Sequence, residues 1–506
     1  MFIGTNYKSY AQEKGGKVII LLFLFLLSLY EFYSIGFSAF ALICILPLFV
    51  LGGYFIFNYQ MHFFWILFII NYTIMGISRY YDFPIPITAI TIMPQVLLLM
   101  VLILDISKNH NGKYGNLMLL SLVIWAVFML LQLGNRTCDL PISFSSWFQN
   151  FLFYSLAFFI TYFIISTIIN TPEKIMKFLR WWAYFAIAAV LWAWRQKTFG
   201  WDNAENIWLI TGGATTHIIG GSIRYFSFFS DAANYGCHIA AAAVAFYIVA
   251  ITTKTKKDKI LFLTAAILCT YGFFLSGTRT GLLCFLVGVA FYVVLSKSFK
   301  IAIPVAILGG SFFFILAFTQ IGQGNMQIRR MRTAFNKDDA SANVRDINKQ
   351  ALKKYLRDAP FGLGMNIDIN NIPANHKYKI VTQTASDSTY VYLWEYTGII
   401  GTCFFAFINI LILLGGCYIT LFRLHRASVQ GIGGAFCCAF ISIQTGGYAN
   451  NILLQYPNIL IFYGGMTIVY ILPHIEISWI EYENKRTALQ EEKKRLRIEK
   501  KLASRV

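Results

Sequence analysis

The feature that most constrains the fold of this chain is a series of long apolar runs that recur along most of its 506 residues. A helix that crosses a bilayer needs about 20 mostly apolar residues, because lipid offers no hydrogen-bond partner to the backbone. We count about fourteen such runs, and an even number of spans places both termini on one side. They begin near Val18, Phe37, His62, Pro86, Asn116, Trp147, Phe178, Ala233, Lys259, Gly281, Ile301, Thr389, Gly431 and Asn458. The chain is therefore predicted to be an all-α polytopic membrane protein with about 12–14 transmembrane helices.

The composition agrees with a bilayer environment and excludes two other classes of protein. The chain is 57% hydrophobic and 13% charged, with a mean hydropathy of +0.60, whereas soluble domains have more even fractions. A soluble protein of this length would alternate several cores with polar linkers, and a disordered chain would lack the apolar runs. The net charge of +19 lies mainly between those runs, so membrane orientation and anionic lipids explain it better than nucleic acid does.

The nine cysteines predict neither a disulfide framework nor a metal site. Cys138 lies in an evidently polar loop, and the others lie in or beside apolar runs. No metal cluster therefore follows from the cysteines, and we also expect no cofactor.

Basic residues on alternate short loops set the predicted orientation. Under the positive-inside rule such loops are cytoplasmic, and both termini are then cytoplasmic as well. The residues that carry this pattern are Lys108, Lys113, Lys174, Lys177, Lys254, Lys256, Lys257, Lys259, Lys297, Lys300, Arg423 and Arg426. The tail after Pro473 mixes basic and acidic residues at helical spacing, which is typical of a solvated or membrane-surface helix.

Two long connections, at 195–231 and 322–388, lie on the side opposite the basic loops. Most connections have only a few residues, and long loops on one face are where function is expected. The second connection is rich in arginine and lysine, and loops of this length escape the orientation rule. Its positive charge serves either an anionic ligand or anionic lipid head groups, and the sequence leaves both open.

These features divide the chain into five parts. They are N-terminal transmembrane helices (1–194), transmembrane helices with the arginine motifs (195–320), a long outer loop (321–388), C-terminal transmembrane helices (389–473) and a basic cytoplasmic tail (474–506).

Arg279 is the most informative single residue. It lies in the segment 276–281 (SGTRTG), between two apolar runs that almost nothing separates, so its charge is at or just inside the membrane boundary. A charge there is costly and is usually functional, although an arginine at a helix end can also reach the lipid head groups.

Arg224 begins a second motif, 224–236 (RYFSFFSDAANYG), directly before an apolar run. A planar, permanently charged guanidinium among aromatic residues suits a phosphate at the lipid–water boundary. Two such arginines could hold a pyrophosphate. Alternatively, Arg224 simply pairs with Asp231 in an ordinary loop contact.

The long outer loop carries a third group of candidates. Apolar residues between Val344 and Leu352 recur at spacings of three and four, which predicts an amphipathic helix that ends before Pro360. Asp387 then stands where a span begins, as either a general base or a helix N-cap. Glu395 lies about two turns deeper and is either a buried ion-pair partner or a catalytic acid.

The ordered motifs together resemble the O-antigen ligase and polymerase superfamily. They are Arg224 with Asp231-x-x-Asn234, the 276–281 turn, Arg345-x6-Leu352, the segment 360–364 (PFGLG), and Tyr390-x7-Gly398 followed by Gly401. The resemblance covers roughly Gly200 to Gly415.

The resemblance implies a type C glycosyltransferase-like fold with a large periplasmic loop that contains amphipathic helices. It implies a metal-independent enzyme of the bacterial inner membrane, with its active site on the periplasmic face. Such an enzyme moves a glycan from undecaprenyl pyrophosphate to a sugar hydroxyl and inverts the anomeric carbon. The pyrophosphate contacts are assigned to Arg224 and Arg279, and we add Arg345, Asp231, Asn234 and Tyr390 to the substrate-binding set.

The chain departs from the ligases of this superfamily at one site. They typically carry a His-Asn pair where this chain has Asp387-Ser388, and the nearest histidine here is His376. The candidate catalytic residues are therefore Asp387, His376 and Glu395. The Asp-Ser form looks more like polymerase-type members.

We therefore expect a polymerase of lipid-linked polysaccharide repeat units, of the O-antigen or capsule type. The alternatives are an O-antigen ligase that acts on lipid A core, a protein O-oligosaccharyltransferase, and, from another class, a flippase for the same lipid-linked oligosaccharide. The expected partners are the undecaprenyl pyrophosphate-linked donor, a glycan or lipid-linked glycan acceptor, membrane lipids and a chain-length regulator, without nucleic acid. A flippase tends to show internal repeats and charges at the membrane midplane, whereas the informative charges here cluster at one face.

Overall fold

The structure is a computed structural model that describes residues 52–105, 115–219, 222–296, 299–324, 326–332, 340–386 and 388–503. The N-terminal half of this part is built from eight helices and one pair of very short strands. The helices are α1 (Gln60–Ile77), α2 (Ile87–Asp105), α3 (Leu117–Leu131), α4 (Phe144–Phe151), α5 (Ala157–Ile168), α6 (Pro172–Phe199), α7 (Asn203–Trp208) and α8 (Ala214–His217). Strands β1 (Ile218–Ile219) and β2 (Ser222–Ile223) pair antiparallel, with Ile218 opposite Ile223.

Ten further helices follow in the C-terminal half of the described residues. They are α9 (Ala232–Thr252), α10 (Lys256–Leu275), α11 (Arg279–Leu295), α12 (Phe299–Phe318), α13 (Met326–Arg332), α14 (Ala340–Leu356), α15 (Lys379–Gln383), α16 (Thr389–Tyr418), α17 (Ala427–Ala449) and α18 (Gly464–Ala503). Short 3-10 turns lie at Gln132–Gly134 and Ile369–Asn371, and π-helical turns lie at Leu152–Leu156, Leu209–Gly213, Ile419–Arg423 and Ile459–Tyr463.

Ten of the helical segments in the described part of the chain are long and apolar enough to cross a membrane, so the predicted all-α polytopic fold is confirmed. Two shorter apolar helical segments, Arg279–Leu295 and Ile303–Ile315, correspond to the runs predicted near Gly281 and Ile301. The runs predicted near Val18 and Phe37 lie outside the described residues. The remaining ten predicted runs each match one of the long segments.

Polar side chains fix where several of these helices begin. Asn116, Thr171, Asp231 and Ser388 are N-caps whose side chains accept hydrogen bonds from the first-turn backbone of α3, α6, α9 and α16. Each cap satisfies N–H groups that have no partner inside the helix. Such caps matter most near a membrane, where water reaches the helix end less easily.

The centre of the bundle is formed by α9, α17 and the first half of α18, whose membrane segments are the most buried of the ten. Small side chains allow α9 to pack closely: residues 240–243 are all alanine and fully buried. A Cβ added to Gly236 would lie 2.3 Å from Ser276 Oγ, and one added to Gly288 would lie 2.3 Å from Ser442 Oγ. Small residues at such crossings are what helix association in lipid favours.

A buried polar network joins α1, α6 and α9 to Asn458, which directly precedes the π-helical turn at Ile459–Tyr463. His238 Nδ1 lies 2.8 Å from Asn458 Oδ1, and His238 Nε2 lies 2.6 Å from Tyr72 Oη and 3.2 Å from Trp182 Nε1. Asn458 also donates to Asn234 Oδ1 at 2.8 Å. Every member has a partner, so the network rigidifies the core without leaving a buried polar group unpaired.

The helices alternate in direction, so the connections fall into two groups. The described parts of the long segments at 200–231 and 319–388 share one end of the bundle with the short turns at 276–278 and 450–458. We call this end the cavity face. The turns at 169–171, 253–255 and 424–426 lie at the opposite end, where Asp258 pairs with Arg180 and Arg486.

Candidate functional site

A cavity of about 660 Å³ opens at the cavity face. Its lining brings together residues from five separate stretches of the chain, which are far apart in sequence. They are Thr215, Thr216, His217, Arg224, Asp231, Ala232, Ala233, Gly277, Thr278, Arg279, Thr280, Arg330, Arg345, Asn450, Asn451, Ile452 and Gln455. Four of these side chains are arginines, and the one acidic side chain among the described lining residues is Asp231. The cavity is therefore strongly positive.

The turn at 276–281 is folded so that Arg279 becomes the first residue of α11. Gly277 adopts φ +54°, a left-handed conformation that glycine accepts without strain. Thr278 Oγ1 donates to Ala232 O at 2.9 Å, which ties the turn to the start of α9. Gly281 lies against Gly236, because a Cβ at Gly281 would come within 3.1 Å of Gly236 O. The glycines of the motif thus serve close packing, and Arg279 lies at the rim of the cavity.

Arg224 is held from two sides at the same cavity. Its Nη1 donates to Thr216 O at 2.8 Å, and its Nη2 donates to Thr278 Oγ1 at 3.0 Å. Arg224 Nε is buried and has no hydrogen-bond partner among the described residues. The alternative in which Arg224 pairs with Asp231 does not describe these contacts, because the guanidinium bonds Thr216 and Thr278 instead.

Burial and neighbouring positive charge set the electrostatics of Arg224. Burial and then the charge of Arg330 lower the pKa of Arg224 to about 10, while Asp231 acts in the opposite direction. The guanidinium remains charged at neutral pH because this pKa is still well above 7. Buried cations of this kind gain most from an anionic partner, since charge-assisted hydrogen bonds are strong where water is excluded.

Helix ends add to the positive potential of the cavity. Both α9 and α11 begin there, and a helix N-terminus carries a partial positive charge. Asp231 caps α9: its Oδ1 accepts from Ala233 N at 2.8 Å and from Asn234 N at 2.9 Å. Asp231 thus lines the cavity, but its carboxylate is already engaged by the helix that it caps.

His217 lies beneath Arg224 and was not foreseen from the sequence. Its Nδ1 donates to Gly213 O at 2.8 Å, and its Nε2 accepts from Ala232 N at 3.1 Å. Burial lowers the pKa of His217 to about 4, and the charge of Arg224 acts in the same direction. The neutral ring therefore links the backbone at Gly213 to the backbone at the start of α9.

Arg345 reaches the cavity from the outer loop, where the predicted amphipathic helix is confirmed as α14. Leu352 and Leu356 are buried on one side of α14, and Arg345 Nη2 donates to Asn450 Oδ1 at 3.3 Å. Asn450 Nδ2 in turn donates to Thr280 Oγ1 at 2.9 Å. Asn450 thus links the outer loop to the turn that carries Arg279.

The glycines at 360–364 and 398 have an architectural role. Gly362 and Gly398 have φ values of +70° and +67°, and a Cβ at Gly398 would lie 2.0 Å from Pro360 O. Backbone bonds join the two segments: Leu363 N donates to Glu395 O, Gly364 N to Tyr396 O, and Ile400 N to Pro360 O. The loop therefore docks onto a kink in α16, and this contact anchors the segment that follows α14.

Four predicted site residues are not among the described residues that line the cavity. Asn234 lies in the His238 network, and Tyr390 Oη donates to Gln444 Oε1 at 3.0 Å. Ser386 Oγ donates to Glu395 Oε2. His376 is half-buried, and its Nδ1 accepts from Tyr378 N at 3.3 Å.

Asp387 lies outside the described residues. The N-cap of α16 is Ser388, whose Oγ accepts from Val391 N at 3.1 Å, so the capping role considered for Asp387 belongs to Ser388. Thr389 Oγ1 donates to Asn451 Oδ1 at 3.2 Å, and Asn451 lines the cavity.

Arg79 is a second important residue that the sequence did not single out. It follows α1, and its guanidinium donates to Ser227 O at 3.0 Å, to Ser230 O at 3.1 Å and to Phe229 O. It also lies over the rings of Trp208 and Phe226. Arg79 therefore shapes the aromatic turn that follows Arg224. Its position after an apolar run gave no signal that distinguishes it from an arginine reaching lipid head groups.

Comparison with known proteins gives one family match. Residues 264–406 match the O-antigen ligase family, and this stretch contains Arg279, Arg330, Arg345 and the docked 360–364 turn. None of the curated proteins compared with the chain matches it. The family match agrees with the resemblance drawn from the motifs: within this polytopic membrane protein, residues 264–406 are similar to the O-antigen ligase family.

Proposed function

We propose that the protein is an inner-membrane glycosyltransferase that acts at the periplasmic face. It takes a glycan from undecaprenyl pyrophosphate and attaches it to a sugar hydroxyl, and in doing so it polymerises lipid-linked repeat units. The observation that carries this proposal is the cavity with four arginines, built where α9 and α11 begin. The family match supports chemistry of the O-antigen ligase or polymerase type.

The reaction explains why cations are needed at this place. The acceptor oxygen forms a bond to the anomeric carbon while the bond from that carbon to the diphosphate oxygen breaks. Negative charge grows on the departing lipid diphosphate, so guanidinium groups that are already in position stabilise the transition state more than the ground state. Arg224 and Arg279 are the residues that we assign to this role, with Arg345 completing the site from the outer loop.

The acceptor hydroxyl must also lose its proton. Asp387 is our first candidate for the base, because Thr389, two residues after it, contacts Asn450 and Asn451, which line the cavity. His376 and Glu395 remain alternatives. Attack from the face opposite the diphosphate inverts the anomeric carbon, and no step in this scheme requires a metal.

The side of the membrane is proposed from charge. The short turns at the opposite face carry Lys254 and Arg426, which the positive-inside rule assigns to the cytoplasm. The cavity face is then periplasmic. The polymerase assignment rests on Asp387-Ser388, which replaces the His-Asn pair of ligases.

The test uses the purified protein in lipid nanodiscs with undecaprenyl pyrophosphate-linked repeat units as the sole substrate. A ladder of longer lipid-linked glycans is expected from the wild type, and product that forms only with a second acceptor would indicate a ligase instead. We expect Arg224→Ala and Arg279→Ala each to lower the rate by about 10²- to 10³-fold, as loss of one transition-state donor does.

The matched control for these variants is Arg357→Ala, because Arg357 is exposed and does not line the cavity. It is expected to give full-length ladders. Full-length ladders from Arg279→Ala would contradict the proposal. Movement of the lipid-linked glycan across the bilayer without any longer product would support the flippase alternative.

A further inference from the structure

Three arginines on the short helix α13 have three different environments. Arg332 donates to Thr319 O and Ile321 O, so it binds the carbonyl groups at the end of α12. Arg329 is exposed. Arg330 lines the cavity, and the fully buried Met331 beside it anchors the helix. In the sequence these three arginines form one basic cluster, whereas in the structure Arg330 is the one of the three that lines the cavity.

Gly277 lies between Arg330 and Arg224. A Cβ built on Gly277 would lie 3.5 Å from Arg330 Cδ and 3.5 Å from Arg224 Cγ. No side chain therefore separates the two arginine stems at this point, and both side chains line the same cavity. The left-handed φ of Gly277 gives a second reason why a larger residue is disfavoured there.

The charge of Arg330 lowers the pKa of Arg224, so an anion bound between the two guanidinium groups would be stabilised by both. Arg224 has a buried Nε–H without an acceptor among the described residues, and the single acidic side chain of the lining, Asp231, already caps α9. A ligand with several anionic oxygens would offset the two positive charges and accept a hydrogen bond from Arg224 Nε, because arginine can bind two oxygens at once.

We infer that Arg330 and Arg224 form one phosphate subsite of the cavity, with Arg279 and Arg345 forming the other, so that Arg330 selects a diphosphate over a monophosphate. This inference rests on the proposed function and deepens it. The two pairs are held by different contacts. Arg224 and Arg330 flank Gly277, whereas Arg345 donates to Asn450, and Asn450 donates to Thr280, the residue directly after Arg279. A single phosphate can engage one pair, and a diphosphate can engage both.

The test titrates the purified protein in nanodiscs with inorganic pyrophosphate and, separately, with orthophosphate, by calorimetry. The wild type is expected to prefer pyrophosphate. In Arg330→Ala the pyrophosphate affinity should fall by about tenfold to hundredfold, the usual effect of losing a charge-assisted contact. Its orthophosphate affinity should change little, because the Arg279–Arg345 subsite remains.

The matched control is Arg329→Ala, which removes the same charge one residue away and should leave the preference unchanged. If the alanine variant does not fold, Arg330→Gln tests the same role, because glutamine keeps most of the aliphatic part of the side chain and removes the charge. An unchanged preference in these Arg330 variants, or an equal loss of both ligands, overturns the inference.

The outcome also separates this inference from the proposed function. If Arg224→Ala and Arg279→Ala lose pyrophosphate binding and Arg330→Ala does not, only the role of Arg330 fails. If the wild type does not bind pyrophosphate, the inference and the diphosphate site of the proposed function both fail.

Discussion

The contact between Gly398 and the 360–364 turn offers a sharp test of how the outer loop is held. A methyl group at residue 398 would lie 2.0 Å from Pro360 O and 2.4 Å from Gly362 N. Both atoms belong to the backbone, so no side chain can rotate away to relieve the overlap. Gly398→Ala must therefore separate the loop from the kink in α16.

The cost can be worked out from the contacts at the kink. An alanine in the left-handed region costs about 1–2 kcal/mol, and each net backbone hydrogen bond contributes about 1 kcal/mol. Three such bonds join the segments, from Leu363, Gly364 and Ile400. The expected destabilisation is therefore about 4–5 kcal/mol. The anchored side of the outer loop should come loose, and transfer activity should fall with it.

The assay measures thermal unfolding of the detergent-solubilised protein by size-exclusion chromatography after heating. The control is Gly200→Ala, because Gly200 has φ +81° but a Cβ there would meet nothing within 4 Å. The control should lose only the conformational term of about 1–2 kcal/mol. If Gly398→Ala unfolds at the same temperature as Gly200→Ala, the docking of the loop on the kink is wrong.

Three further predictions concern the polar contacts of the bundle. Asn450→Ala removes the link between Arg345 and the Arg279 turn, and should raise the KM for the lipid-linked donor about threefold to tenfold in the ladder assay, with kcat less affected. The pKa of His217 is lowered from 6.5 to about 4, so the unfolded chain binds a proton that the folded state excludes. Stability should therefore be full above about pH 6.5 and fall by about 3 kcal/mol toward pH 4, and unfolding of His217→Gln should lack this dependence. Asp258→Asn leaves two partly buried arginines without their carboxylate and should cost about 3 kcal/mol, measured by thermal unfolding, whereas Asp358→Asn, in an exposed pair with Lys377, should change little.

The transmembrane helices could be predicted from the sequence because lipid enforces a simple rule. A spanning segment must be apolar and must satisfy its own backbone, so length and hydropathy identify it. Helix α14 was predicted for a related reason, since its apolar residues repeat at helical spacing. The kink at Gly398 was not predicted, because it depends on a partner segment some 35 residues earlier in the chain.

The cavity could be predicted only in part. Arg224 and Arg279 stood out because each lies at the edge of an apolar run, and the structure brings both to one cavity with Arg345. Asn234 belongs to the same motif as Arg224, yet its side chain bonds residues in the core and does not line the cavity. A polar residue in the first turn of a helix can face a ligand or a neighbouring helix, and only packing decides which.

The residues that the sequence did not single out have non-local partners. Arg79 acts through the backbone of 227–230, and His217 acts through Ala232 at the start of α9. Arg329 and Arg330 are neighbours on α13, but the side chain of Arg330 lines the cavity and that of Arg329 is exposed. None of these relations leaves a periodic pattern in the chain.

The most direct measurement of the central claim is an electron cryo-microscopy structure of the protein in nanodiscs with undecaprenyl pyrophosphate bound. We expect density for the diphosphate in the cavity between α9 and α11, within hydrogen-bond distance of both Arg224 and Arg279. Density for the diphosphate at the opposite face, or in contact with neither arginine, would contradict the account.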